Sequence, residues 1–271
     1  MKRILSCGAG VQSSTLLLMS CLGELPKLDA AIFADTGWEP PEVYTYLSWL
    51  KETSEKHGIP FHVLSGGDIR KDNVSASVFG KGTGQHLPLY TLAPDGTKGM
   101  VKRSCTNNYK IIPIRSWIKR ELLGLEKAAR WPIDPSVEHW FGISFDEIKR
   151  TRVSGERWQI NAYPLIEDFE RPMTRRDCML WNNARGFPAP GKSACVGCPY
   201  RDNAGWREMK LNAPEQWLDA VAFDRSVRHQ NRPGYTNYLH PSCVPLDEVD
   251  LSTEEERGQG MLFECSGMCG T

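Results

Sequence analysis

The fold is decided by the segment Lys2-Arg3-Ile4-Leu5-Ser6-Cys7-Gly8-Ala9-Gly10-Val11-Gln12-Ser13-Ser14-Thr15. Its first five residues predict a short buried strand, and the apolar residues that follow Thr15 predict a helix buried on most sides. Between strand and helix lie glycines, which permit close backbone approach, and serines, which offer hydroxyl groups. A helix that starts at such a turn points its free N–H groups and positive dipole end at it, which suits a phosphate or pyrophosphate.

We expect this anion to be held by residues of the turn itself, namely Ser6, Gly8, Gly10, Gln12, Ser13 and Ser14. The turn lacks both the Gly-Lys-Ser/Thr of a Walker loop and the GxGxxG pattern. A tight turn whose small residues serve only packing is the alternative interpretation.

Further buried strands are predicted at 30–34, 61–64 and 137–143, with an extended piece at 161–165. Helices are predicted at 111–123, 174–184 and 214–227, and another begins at Pro40-Pro41. Strands that alternate with helices predict an α/β fold, an open and mostly parallel sheet with helices on both faces. Repeated glycines between Gly66 and Met100 predict an irregular lid or binding loop. We expect a nucleotide-binding domain over 1–201 and a helical extension with a flexible, cysteine-bearing tail over 202–271.

Composition narrows the class of protein. Hydrophobic residues make up 40% and charged residues 24%, which is typical of a globular chain. No apolar stretch approaches the length of a membrane span, and the N-terminal apolar segment is too short for a signal peptide, so we expect a cytoplasmic protein. Lys+Arg and Asp+Glu are both 33, which argues against a uniformly basic coat but permits a local basic groove.

A carboxylate follows the second predicted strand, in Asp35-Thr36-Gly37. Ligands of open α/β sheets bind beyond the carboxyl ends of the strands, where such a group can hold a ribose, an amine or a metal. The alternative is an Asp that caps its own turn.

Nine cysteines, an odd number, argue against a disulfide framework and for metal or thiol chemistry. Cys195 and Cys198 form a CxxC pair, and with Cys105 and Cys178 they complete four thiolates for a [4Fe–4S] cluster or a zinc ion. A redox pair at the CxxC is the alternative. Near the C-terminus, Cys265 or Cys269 can act as nucleophile or resolving thiol.

Together and in this order, these segments resemble the phosphoadenosine phosphosulfate (PAPS) reductase family of the PP-loop ATP-pyrophosphatase superfamily, including the reductase-like proteins of phages and prophages. The resemblance is carried by six segments: the PP-loop-like 6–14, the "DTG…PET"-like 33–44, Cys105 with 109–114, the "GIRxxES"-like 142–147, the "NPL…CxxCPxR"-like 161–165 with 193–201, and Glu264-Cys265, which is similar to the catalytic tail. It implies that Gly142 and Glu147 also belong to the nucleotide site.

The chain departs from the family pattern at several positions. Gln12 stands where ATP-using PP-loops carry Asp, and Ser144 stands where the reductases carry Arg. Cys105 is single where cluster-bearing relatives have two adjacent cysteines, so Cys178 has to supply the fourth thiolate. Cys269 is an additional cysteine in the tail.

The resemblance implies a sulfonucleotide reductase that binds adenosine phosphosulfate (APS) or PAPS beside an iron–sulfur cluster. Cys265 would attack the sulfur, and a thioredoxin-type thiol would release sulfite. Two alternatives stay open. The first is ATP-dependent thiolation of tRNA or DNA, with Mg²⁺ and a cysteine desulfurase as sulfur donor; the second is a non-enzymatic regulator that binds nucleotide and zinc.

Overall fold

The computed structural model describes residues 1–78, 87–191, 193–229, 233–253 and 256. The chain forms two compact units. The first contains 1–69 and 105–195, and the second contains 70–104 and the described residues from 196 onward. The division at residue 201 expected from the sequence stays a prediction.

The elements are numbered in chain order. The strands are β1 (Lys2–Ser6), β2 (Ala30–Asp35), β3 (Phe61–Ser65), β4 (Tyr90–Leu92), β5 (Lys98–Met100), β6 (Val137–Phe141), β7 (Gln159–Ala162) and β8 (Thr236–Tyr238). The α-helices are α1 (Val11–Leu22), α2 (Pro41–Lys56), α3 (Ile69–Val78), α4 (Ile112–Trp117), α5 (Pro164–Glu167), α6 (Arg175–Ala184), α7 (Asn203–Asn212) and α8 (Pro214–Ser226). Two π-helical turns, Thr106–Ile111 and Ile118–Leu122, flank α4, and 3-10 turns cover Phe145–Arg150 and Leu246–Glu248.

The first unit is built on a five-stranded sheet in the order β3-β2-β1-β6-β7, in which every pair is parallel. From β1, the next strands along the chain lie on one side, and β6 and β7 lie on the other. The strand order therefore reverses between β1 and β6, which is where open α/β sheets bind ligands at their carboxyl ends. The predicted α/β class with an open parallel sheet is confirmed.

Helices cover both faces of this sheet. On one face Leu5 and Trp140 pack into a large buried cluster with α1 and α2. On the other face Ile4 and Val137 join a smaller cluster with Ile114 and neighbouring residues of the α4 segment. The alternation of side chains along a strand sends neighbouring residues to opposite faces.

The second unit contains an antiparallel three-stranded sheet in the order β5-β4-β8. Trp206 of α7 and Trp217 of α8 meet edge to face, with ring centroids 6.3 Å apart. Among the described residues, no helix has both the length and the apolar character needed to cross a membrane.

The region from Gly66 to Met100 is more regular than the sequence predicts, because α3, β4 and β5 lie within its described part. Strands of three residues are too short to display an alternating pattern. Moreover, β4 pairs with β8, more than 140 residues away, so local periodicity gives no sign of the strand. The extended piece predicted at 161–165 is likewise divided between the end of β7 and the start of α5.

Candidate functional site

The turn between β1 and α1 is held together by hydrogen bonds of the Ser13 side chain. The Gly8 N–H donates to Ser13 Oγ (3.2 Å), and this hydroxyl donates to the Gly10 carbonyl (3.3 Å). The first turn of α1 contains no acidic residue, and Gly10, its N-cap, provides no side-chain cap. The positive end of the helix dipole is thus not compensated within the helix, as anion binding at such a turn requires.

Gly142, just beyond β6, lies against this turn. A Cβ atom at this position would lie 2.6 Å from the Ser13 nitrogen and 2.8 Å from its Cα. Only glycine permits so close an approach between the end of β6 and the start of α1. The position that the family resemblance selected thus has a packing reason of its own.

The two departures from the family pattern, Gln12 and Ser144, are hydrogen-bonded to each other. Gln12 Nε2 donates to Ser144 Oγ (3.3 Å) and to Glu147 Oε2 (3.1 Å). The buried Ser144 donates to Asp146 Oδ1 (2.6 Å), and this bond is the main cause that lowers the pKa of Asp146. Glu147 is paired with Arg150. The predicted binding residues Gln12 and Glu147 therefore meet, in a network that carries two carboxylates.

A cavity of about 470 Å³ opens on the α4 face, at the carboxyl ends of β1, β2 and β6. Its walls are mainly apolar and aromatic, and they include Ile32, Ile114, Phe141 and Trp158. Ser6, Cys7 and Gly8 at the end of β1 also line it, so the cavity adjoins the predicted anion-binding turn. This combination of apolar walls with a few polar groups is typical of small-molecule sites.

A row of polar side chains crosses the sheet at the cavity, from β1 to β7. Ser6 Oγ lies 2.7 Å from His139 Nε2, and His139 Nδ1 lies 3.2 Å from Gln159 Oε1. Gln159 Nε2 donates to Asn161 Oδ1 (2.7 Å), and Asn161 Nδ2 donates to the Arg152 carbonyl (2.9 Å). Burial lowers the pKa of His139 to about 4, so its ring is neutral at pH 7.

Sequence reasoning missed His139, Gln159 and Asn161. The available signal was the position of His139, a polar residue within a strand that the sequence predicts to be buried. Its neighbours are set by strand register, since His139 is aligned with Ile4 of β1 and Asn161 of β7.

Two cations that follow Cys105 in the chain, Lys110 and Arg115, also line the cavity. Arg115 is paired with Glu156, and its guanidinium lies 5.4 Å from the ring centroid of Trp131. Lys110 reaches the cavity from the π-helical turn before α4. Because Arg115 is already neutralised, Lys110 is the cation better suited to an incoming anion.

Asp35 caps its own turn, as in the alternative interpretation. Its Oδ1 accepts from the Gly37 N–H (2.8 Å) and from the Tyr44 hydroxyl (2.9 Å). Gly37 has a φ of +74°, and a Cβ there would lie 3.0 Å from the Asp68 Cα. The described cavity is not lined by Asp35, Thr36 or Gly37, so their role in ligand binding stays a prediction.

The predicted four-cysteine set does not fit the structure at Cys178. This side chain is completely buried in the apolar cluster beside α1, and burial raises the pKa of its thiol to about 12. A metal ligand must be a thiolate, which such surroundings oppose. The helical pattern of 174–184 was predicted correctly, but it did not reveal that Cys178 faces the core.

The other cysteines have different surroundings. Cys195 Sγ lies 3.2 Å from Thr36 Oγ1 and 3.8 Å from Glu39 Oε1, whereas Cys105 is half-buried at the start of a π-helical turn. Cys198 lies in the second unit, where its carbonyl accepts from the Arg201 N–H (3.0 Å). Within the described ranges, no group of three or more His, Cys, Asp or Glu side chains is placed to hold a metal ion. The predicted nucleophiles Cys265 and Cys269 lie outside the described residues.

Comparison with known proteins gives similarity in structure but not in sequence. No family profile matches the chain, and no curated protein matches it in sequence. Among solved structures, the chain is similar to phosphoadenylyl-sulfate (PAPS) reductase from Candida auris in its phosphate complex, with a TM-score of 0.41 and 12% identity. The alignment covers 70% of this chain and 75% of that one. At this identity the reductase activity remains a property of that protein alone.

Proposed function

We propose that the first unit binds an adenine nucleotide, with the base in the cavity and the phosphate at the β1–α1 turn. The observation that carries the proposal is the position of the cavity. It adjoins a glycine-rich turn at the start of a helix, at the point where the strand order reverses. A volume of about 470 Å³ suits a ligand of nucleotide size.

The proposed reaction is reduction of a sulfonucleotide, APS or PAPS. The Cys265 thiolate attacks the sulfur, and the bond from this sulfur to the phosphate oxygen breaks. AMP or PAP leaves with that electron pair, and the cysteine carries an S-sulfonate. A thioredoxin-type dithiol then attacks Cys265 Sγ, releases sulfite and becomes a disulfide. We assign to Lys110, which lines the same cavity as the end of β1, the neutralisation of charge on the leaving phosphate.

Binding is tested by calorimetry of the full chain with AMP and APS. Lys110→Ala should weaken both by about tenfold, the effect of losing one charge-assisted contact. Lys149→Ala removes the same charge from an exposed position outside the cavity and should change neither. If AMP and APS do not bind at any concentration, or if the two variants behave alike, the nucleotide site is not where we place it.

The reaction is tested separately, by sulfite release from APS or PAPS in the presence of thioredoxin. Cys265→Ser should abolish release if this residue is the nucleophile, and Cys269→Ser should reduce it if this residue resolves the intermediate. Unchanged release in both variants contradicts a catalytic tail while leaving nucleotide binding intact.

ATP-dependent sulfur transfer is the second candidate, and the acidic network at Gln12 favours it. Two carboxylates, Asp146 and Glu147, lie in the network beside the start of α1, and Ser144 stands where the sulfonucleotide pattern has an arginine. Carboxylates near a triphosphate are typical of sites that also bind Mg²⁺. Pyrophosphate release from ATP that requires added tRNA or DNA, with no sulfite release from APS, would select this candidate.

Metal binding is a proposal for cysteines other than Cys178. Iron and zinc analysis of anaerobically purified protein should detect any cluster or zinc ion. We expect Cys178→Ala to leave the metal content unchanged and Cys195→Ala to lower it. An equal loss of metal in both variants would mean that Cys178 is a metal ligand after all.

A further inference from the structure

The direction of every hydrogen bond in the polar row at the cavity can be deduced from the Arg152 carbonyl at its end. The Arg152 carbonyl can only accept, so the amide nitrogen of Asn161 faces it and Asn161 Oδ1 faces Gln159. Gln159 must then donate to Asn161, which leaves Gln159 Oε1 toward His139. The orientation of two side-chain amides thus follows from one backbone carbonyl.

This orientation determines the tautomer of His139. Gln159 Oε1 only accepts, so His139 Nδ1 carries the proton. His139 is only 5% exposed and its ring is neutral at pH 7, so Nε2 is an acceptor. The single hydroxyl proton of Ser6 is therefore donated to His139 Nε2 over 2.7 Å. Ser6 keeps its lone pairs but has no proton left for a ligand, so in this state it cannot donate to the anion that the sequence predicts it to hold.

We propose that Ser6 Oγ is an obligatory hydrogen-bond acceptor in this cavity and selects a ligand that presents an N–H donor, the exocyclic amino group of adenine. His139 and Gln159 are positioning residues that hold Ser6 in this state. The inference rests on the proposed nucleotide site and adds the basis of its specificity. A purine with a 6-oxo group would place an acceptor against an acceptor, which is repulsive.

The surroundings of Ser6 favour a base over a ribose. Phe141 stacks on His139 with ring centroids 4.4 Å apart, and Ile32 and Ile114 complete flat apolar walls. A purine ring can bury its faces against such walls, whereas a ribose has no aromatic face to stack on Phe141. The donor that reaches Ser6 is therefore assigned to the base.

The test is calorimetry of the full chain with four probes: AMP, purine riboside 5′-monophosphate (which lacks the amino group), IMP and 2′-deoxy-AMP. For the wild type we expect AMP to bind at least about tenfold more tightly than the purine riboside or IMP, and 2′-deoxy-AMP to bind about as well as AMP. Ser6→Ala should make AMP and the purine riboside bind equally. Ser48→Ala, which removes an exposed hydroxyl on α2, should leave the preference unchanged.

Gln159→Leu provides a second variant that keeps Ser6. Without the acceptor that fixes His139 Nδ1, the imidazole can change tautomer and Ser6 can donate. IMP should then gain relative to AMP, a shift that simple loss of packing would not produce.

The outcomes separate this inference from the proposed function. If the wild type binds none of the four probes, the nucleotide site itself is wrong. If AMP binds but the purine riboside binds equally well, or if Ser6→Ala keeps the preference, the site stands and the inference is overturned. A loss of affinity confined to 2′-deoxy-AMP would assign the donor to the ribose and also overturn it.

Discussion

The two faces of the parallel sheet receive side chains from the same strands but differ in how completely they are packed. On the α1 face, Leu5 and Trp140 are fully buried in a continuous apolar cluster. On the α4 face, the next residues along these strands, Ser6 and Phe141, line an open cavity. A shift of one residue along a strand thus separates positions packed in the core from positions that line the cavity. The proposed ligand site lies where packing is incomplete, and we expect stability to come mainly from the opposite face.

Replacing adjacent aromatic residues of β6 tests this comparison most strongly. Trp140→Ala leaves a large void in the packed face and should lower the free energy of unfolding by about 3–5 kcal/mol. Phe141→Ala removes a half-buried ring from the cavity wall and should cost about 1–2 kcal/mol, because less apolar surface is lost. Urea unfolding of both variants measures the difference.

Nucleotide binding by the same two variants should show the reverse order. Phe141→Ala should weaken AMP binding by about tenfold, the worth of one aromatic contact. Trp140→Ala should bind AMP normally wherever it remains folded. If both variants lose stability equally and binding equally, the two faces do not have separate roles.

The close contact between Gly142 and Ser13 lies at the carboxyl edge of the sheet, beside the start of α1. Gly142→Ala places a Cβ 2.6 Å from the Ser13 nitrogen, and because both partners are backbone the structure must shift, at a cost of about 3 kcal/mol. AMP binding should weaken too, because the shift moves the start of α1. Gly155→Ala is the matched control for the unfolding measurement alone, since its Cβ meets no atom within 4 Å but the residue lines the cavity. Similar unfolding curves for the two variants would contradict the tight contact.

The parallel sheet and its first turn could be predicted from the sequence, because contiguous residues specify both. The strand 2–6, the small residues 8–14 and the apolar segment after them form one local pattern. The strands β2 and β3 are likewise short contiguous segments rich in apolar residues. The polar row was not predictable in this way. His139, Gln159 and Ser6 come together only through the register of three strands, which no local pattern specifies.

The cysteines illustrate the same limit. The need for a fourth thiolate assigned Cys178 to a metal, but that argument does not say which side of a helix faces the core. In α6 the Cys178 side chain is directed toward α1, and its complete burial among apolar side chains opposes a thiolate.

The neutral His139 makes stability depend on pH. Its pKa is about 4 in the folded protein and near 6.5 when unfolded, so above pH 6.5 both states are neutral and stability is complete. As the pH falls below 6.5, only the unfolded state takes up the proton, and stability declines until about pH 4. Between about pH 7.5 and pH 5 the loss should be about 2 kcal/mol.

His139→Gln should remove this part of the slope, as measured by urea unfolding at both pH values. Other histidines contribute equally to variant and wild type, so the difference between the two proteins isolates His139. An unchanged slope would mean that His139 is protonated in the folded state and that Ser6 is free to donate.

The smallest effect is expected at Ala9, in the turn that leads from β1 to α1. Ala9 has a φ of +54°, a left-handed conformation that costs a residue with a Cβ about 1–2 kcal/mol. Ala9→Gly relieves this strain but also gives the unfolded chain more freedom, worth about 0.5–1 kcal/mol. The net expectation is a gain of about 0.5 kcal/mol. Ala222→Gly, at an exposed position inside α8, should instead lose about 0.5–1 kcal/mol. Opposite signs in thermal unfolding locate the strain at the turn beside the cavity, whereas a loss in both variants would mean that the Ala9 conformation is not strained.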